Sequence, residues 1–270
     1  TERIAMSIVL GNDENDALRN KSVAQTTYDF DYQFAKAPNP PVVSAVPGDG
    51  KVTLYWDRSA ESSVDKYMSE ITNGVDLYDF EGYKIYRATD FEFNDAYTIT
   101  DGDGNPTFFE PYVQNGARAQ WDLVDGKSGW HPVDLNGIKF YLGDETGLVH
   151  SYTDHNVVNG QRYYYAVVSY DYGGDLSNNI IPSDSPMKLR VNSLTGEVSL
   201  GPNVVEVVPS PPSAGFVDAG ILGDKIDHIT GASSGEIYLE ILDPHMVKDA
   251  HTYRVSFEDT LYLNQQGLAG

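Results

Sequence analysis

Cysteine is absent from all 270 residues. That removes disulfide scaffolding, thiol catalysis and every cysteine-ligated metal site, but says nothing of the compartment. Basic residues are scarce as well: 18 Lys and Arg stand against 40 Asp and Glu, a net charge of −22. A surface of that sign repels phosphate backbones and anionic lipid, which argues against nucleic-acid partners and against membrane attachment by charge. No stretch approaches the roughly 18 to 20 uninterrupted apolar residues of a membrane-spanning helix. Catalytic signatures are missing too. There is no G-x-S-x-G, phosphate loop or dinucleotide fingerprint, and carboxylate pairs are too abundant to single one out. The six histidines (131, 150, 155, 228, 245 and 251) lack H-E-x-x-H or paired spacing. His150 and His155 flank Asp154, a conceivable metal site for which a structural or surface role is the expectation. We therefore expect no enzyme.

What is abundant is turn and sheet chemistry: 19 Tyr, 25 Gly and 14 Pro, with 40% hydrophobic residues to fill a core. Aromatic residues suit pleated surfaces, while Gly and Pro suit tight turns, so the expected class is mainly β. Ile4, Met6, Ile8 and Leu10 alternate as one strand. Asn12, Asp13, Asn15 and Asp16 then form an acidic turn, read as the cap of a helix through Ala17, Leu18, Ala24, Tyr28 and Tyr32 rather than as an ion site. Pro38, Pro40 and Pro41 stop it. Because the chain opens on Thr1 without a signal peptide, residues 1–37 read as the tail of a preceding domain and a helical connector within an excerpt or processed product.

From Val42 the period becomes two. Val43 and Ala45 lead through Pro47-Gly48-Asp49-Gly50 to Val52, Leu54 and Trp56, a hairpin with a buried tryptophan. Gly82–Arg87 is a strand with Tyr83 and Ile85 inward. The run Tyr163–Tyr170 is another, with Tyr163, Tyr165 and Val167 on one face, and Asp171–Asp175 turns the chain into a last strand beyond Ile180.

These strands resemble A, B, C and F of a fibronectin type III domain, and the position of Tyr163 is similar to that family's tyrosine corner, whose phenol bonds to upstream backbone. The resemblance implies an immunoglobulin-like β-sandwich over residues 38–208, with Trp56, Tyr83, Tyr163 and Tyr165 in structural roles. A module of that family needs about 100 residues, so the chain carries roughly 50 more, placed at about 89–146. That insertion is too aromatic for a floppy loop and is expected to be an ordered β-rich subdomain of short strands capping one side of the sandwich. Residues 209–270 read as a proline linker, Pro209–Pro212, and the start of a further β module, with strands at Gly235–Leu242 and His251–Glu258 about a turn at Asp243-Pro244. Two strands cannot bury a core alone. The whole chain also resembles an interior stretch of long exported surface proteins of Gram-negative bacteria, of the kind often exported by type IX secretion.

Two candidate sites lie in the insertion. Asp101-x-Asp103-Gly104-Asn105 places oxygen ligands at alternate positions, as the start of a calcium loop does, and is equally what a hairpin turn requires. Phe108, Phe109, Tyr112, Trp121 and Trp130 form either the core of the insertion or a platform for sugar rings, with Trp121 and Trp130 as the ligand-binding candidates. The expected function is a non-catalytic structural or adhesive section of an exported, extracellular or cell-surface protein. Its partners would be neighbouring domains or identical subunits joined through edge strands, in filaments or otherwise. The alternative is a carbohydrate-binding accessory module of a secreted enzyme. The acidity fits an exported surface and a salt-adapted one equally.

Overall fold

Val43–Gly48 (β1) turns through Asp49 and Gly50, whose φ of 61° suits glycine, into Lys51–Trp56 (β2). The alternation of Val52, Leu54 and Trp56 sends all three side chains inward, and each is buried. A third strand, Ser151–Asp154, pairs with β2 from the far side, completing a three-stranded antiparallel sheet. This is a computed structural model. It describes residues 8–29, 35–100, 104–135, 137–176, 180–187, 189–191, 197–215, 222–232, 234–241, 247–248 and 251–257.

The second sheet has four strands. Phe80–Ala88 (β3) lies between Gln120–Asp122 (β4) and Tyr163–Asp171, and the latter pairs in turn with Val204–Val207. In chain order Trp130–Leu135 and Ile138–Tyr141 are β5 and β6, Ser151–Asp154 is β7, Tyr163–Asp171 is β8 and Val204–Val207 is β9. One core joins the two sheets: Val52, Leu54 and Trp56 meet Tyr83, Ile85, Tyr163, Tyr165 and Val167. The chain is thus mainly β, with antiparallel sheets packed as a sandwich.

The outer face of the four-stranded sheet is covered as well. Tyr86, Ala88, Tyr164, Ala166 and Val168 form a second cluster with Phe93 and Ala96. Burial on both faces explains why β8 reads as an unbroken run of aromatic and aliphatic residues rather than an alternation. The cover comes from residues 89–146, which build short antiparallel pairs. Ile99–Thr100 pairs with Pro106–Phe108, Val113–Gln114 with Ala117–Arg118, and β5 with β6. They also give the main sheet its edge strand β4.

Several expectations are corrected. Beyond Ile180, residues 180–187 carry only an isolated bridge from Tyr170 to Asp184, Leu189–Val191 pairs with Val198–Leu200 in a sheet of their own, and the last sandwich strand is β9. The alternating strand expected at 4–10 falls largely outside the described residues, and residues 8–10 are not in a strand. The helix runs Glu14–Asp29. Its cap is reciprocal, with the Asp16 amide donating to Asp13 Oδ1 and the Asn12 amide to Asp16 Oδ2, both at 2.9 Å.

The contacts divide the chain into Thr1–Pro212 and Ser213–Gly270. In the second unit Leu222–Lys225 pairs with Tyr238–Glu240, whereas residues 251–257 carry no strand. Of the strand expected at Gly235–Leu242 only Tyr238–Glu240 forms one among the described residues, and its partner is not the one expected, because alternation encodes which face is buried and not which strand lies alongside.

Candidate binding cleft

Outward positions on β3 and β4 hold polar side chains, Lys84 and Gln120, that solvent does not reach. Gln120 explains itself through bonding: its Nε2 lies 2.9 Å from the carbonyls of both Tyr141 and Leu142 and 3.0 Å from Tyr170 Oη. It thereby pins the β5–β6 hairpin over the sheet. His131, buried in that hairpin, contacts the Gly174 carbonyl through Nε2 at 2.6 Å and is a fastening, not a ligand set.

Lys84 is 5% exposed. Its ammonium donates to Asp184 Oδ1 at 3.2 Å and sits 3.4 Å from the centre of the Phe140 ring and 4.4 Å from that of Tyr170. Tyr86 Oη donates to Asp184 Oδ2 at 2.8 Å, so one carboxylate closes both. Burial lowers the Lys84 pKa, with Asp184 opposing that effect, and burial followed by the Asp184 charge raises that of Tyr86.

Above this triad opens a cleft of about 1100 Å³. One wall carries Trp130 and Tyr141 of β5 and β6, another is formed by residues 97–100 and 107–111 with Phe108 and Phe109, and the third is 181–187. The volume lies at the upper end of small-molecule sites, which run to about 1,000 Å³. Trp130 is 59% exposed, and Tyr141 braces it edge to face with ring centres 5.0 Å apart.

The two tryptophans proposed from sequence therefore part company. Trp130 is on the cleft wall, whereas Trp121 is partly buried against the sandwich core, 6.0 Å from Trp56 and 5.4 Å from Tyr152. Asp101 and Asp103 of the calcium candidate lie outside the described residues, and Asn105 is exposed. Among the described residues no group of three His, Cys, Asp or Glu side chains is placed to hold a metal.

The grouping of His150, Asp154 and His155 is replaced by a structural network. Asp154 is fully buried, and its oxygens accept from Arg87 (2.9 Å), Tyr165 (2.7 Å), Tyr112 (3.1 Å) and the Asn156 amide (2.8 Å). That carboxylate ties β7 to β3 and β8 across the core. His150 instead contacts Glu61 at 2.5 Å and lies against the Trp56 and Tyr83 rings. The Tyr163 phenol accepts from the Val158 amide at 3.0 Å, an upstream backbone contact.

Sequence reasoning missed Lys84, Asp184 and Arg118. Lys84 and Asp184 are 100 positions apart, and only the register of β3 against β8 together with the Tyr170–Asp184 bridge brings them together. A lysine at an outward strand position reads as solvated unless the cover is known. No protein-family model, no curated protein and no solved structure matches this chain.

Proposed function

We infer that this chain is a non-catalytic binding section of an exported bacterial surface or extracellular protein, in which a fibronectin type III-like sandwich presents a ligand cleft. The observation that carries the reading is the 1100 Å³ cleft walled by an exposed, braced tryptophan and floored by a neutralised Lys84–Asp184 pair. A half-buried ion pair with a phenol in support fixes the floor as a neutral, hydrogen-bonded surface, which supports binding over catalysis. The fibronectin type III assignment is supported by strand order. Strands β1, β2 and β7 stand as A, B and E, and β4, β3, β8 and β9 as C′, C, F and G, with Tyr163 in the corner position. Residues 38–208 would be the module, with 1–37 and 209–270 belonging to connections and neighbours. Export by a type IX route, and assembly with neighbouring domains or identical subunits, complete the adhesive reading.

The carbohydrate-binding alternative is favoured within it by Trp130. Titration of the chain with soluble polysaccharides, followed by tryptophan fluorescence, tests the cleft. A response abolished by Trp130→Ala and retained in a cleft-distant variant supports it, and no response to any polysaccharide rejects the sugar reading.

A further inference from the structure

The charges around the cleft run against those of the chain. Basic residues are 18 against 40 acidic overall, yet the cleft is lined by Lys84, Arg118 and Lys139 against Glu110 and Asp184. Both wall carboxylates already have partners: Asp184 takes Lys84 and Tyr86, and Glu110 Oε2 accepts from Thr98 Oγ1 at 2.9 Å. The two outer cations differ. Arg118 and Lys139 are exposed, and neither forms an ion pair among the described residues. The Arg118 guanidinium stands 5.3 Å from the centre of the Tyr141 ring, which in turn packs on Trp130, and among the described residues no carboxylate lies within ion-pair reach of it.

In a chain with a large surplus of carboxylates, two cations on one aromatic cleft with no ion-pair partner among the described residues need an explanation. Guanidinium donors form a fork matched to carboxylate, and a lysine adds a movable point charge. The exposed indole offers a flat apolar face to a ring whose rim is polar. We propose that the cleft binds a chain of sugar rings bearing carboxylates, a uronic-acid saccharide. One ring stacks on Trp130, and its carboxylate is held by Arg118 and Lys139. The ring requirement comes from Trp130 and Tyr141, the acid requirement from the two cations, and the length from a volume larger than one ring needs. The strongly negative remainder of the surface repels such a ligand everywhere else, so the cleft is where it docks.

The inference rests on reading the cleft as a ligand site, and the test separates the two. The full chain is titrated calorimetrically with a galacturonic-acid tetramer, with the same tetramer methyl-esterified to remove charge, and with an oligoglutamate peptide of equal charge. The acid form should bind at least about tenfold more tightly than the ester, since only the carboxylate can form charge-assisted hydrogen bonds with the guanidinium. Arg118→Gln with Lys139→Gln should erase that preference, and Trp130→Ala should weaken both sugar forms about tenfold or more. All three positions are exposed, and an unchanged urea midpoint verifies the fold. Equal binding of ester and acid overturns the charge assignment and leaves a neutral sugar site. Binding of oligoglutamate alone overturns the ring assignment, and acid binding that ignores all three substitutions overturns the location. Binding of none of the three probes overturns the cleft reading itself.

Discussion

Glu81 is fully buried, and neither of its carboxylate oxygens has a hydrogen-bond partner among the described residues. It sits where the β3–β8 register slips by one: Phe80 faces Asp171 and Gly82 faces Tyr170, leaving Glu81 as the extra residue of a bulge. Burial first and then the charge of Asp125, opposed by Lys127 and reinforced by Asp122 and Glu145, push its pKa up to about 8. The folded chain thus holds Glu81 protonated at pH values where the unfolded chain has released the proton. Stability from this group is then complete below the unfolded value near 4.5 and is lost as pH rises towards about 8. At about 1.4 kcal/mol per pH unit, the change between pH 5 and pH 8 is on the order of 4 kcal/mol. Asp79 and Asp171, pushed up to about 7 with burial as the first cause, add to the same slope.

Glu81→Gln keeps the shape and cannot ionise. It should match the native chain within about 1–2 kcal/mol at pH 5, a buried amide replacing a buried acid, and exceed it by several kcal/mol at pH 8. Urea denaturation from pH 5 to pH 8, read by tryptophan fluorescence, measures this difference. Trp56, Trp121 and Trp130 all lie in Thr1–Pro212, so the signal reports that unit. A gap between variant and native chain that stays constant from pH 5 to pH 8 refutes the reasoning, since it means that Glu81 is ionised throughout.

Asp154→Asn should cost about 3–5 kcal/mol in urea denaturation, because it leaves the Arg87 guanidinium without its buried counter-charge. A loss under 1 kcal/mol would show that the network does not hold the sheets. Trp121→Ala should cost about 2–4 kcal/mol and Trp130→Ala under about 1 kcal/mol, following their packing. Equal losses would contradict the different surroundings of the two rings. Gly82→Ala would place a Cβ 2.2 Å from the Trp121 carbonyl oxygen and 2.8 Å from Tyr170 Oη, so β4 must detach or shift. The expected loss is about 1–3 kcal/mol, with faster hydrogen exchange at residues 120–122, and a native-like exchange pattern there would count against that close approach.

The sandwich core was legible because period two is a local signal. Val52, Leu54 and Trp56, and likewise Tyr163, Tyr165 and Val167, declare a shared face within a few residues, and each is buried as read. What local pattern cannot carry is the partner. Beyond Ile180 short strands follow: Leu189–Val191 pairs with Val198–Leu200, and only Val204–Val207 joins β8, a choice that local alternation does not encode. The insertion was legible from its aromatic content as an ordered cap on one side of the sandwich, but not which face it covers or what it encloses. It roofs the outer sheet face and turns Lys84 from an apparent surface residue into a cleft floor. Of the two candidate tryptophans, sequence could not rank Trp130 above Trp121, since exposure follows from which neighbour each strand acquires.

The order of strands also sets when this chain can fold. β2 must wait for β7, roughly 100 positions later (Thr53 opposite Thr153), and the four-stranded sheet closes only when Val204–Val207 has arrived beside β8. Pairings so distant in sequence fold slowly, because the closure entropy of each long loop precedes any reward from contact. As the polypeptide emerges from the ribosome, its N-terminal hairpin therefore stays unsealed until almost the whole of Thr1–Pro212 has been made. A cut anywhere between β2 and β9 leaves two open sheet edges rather than a smaller domain.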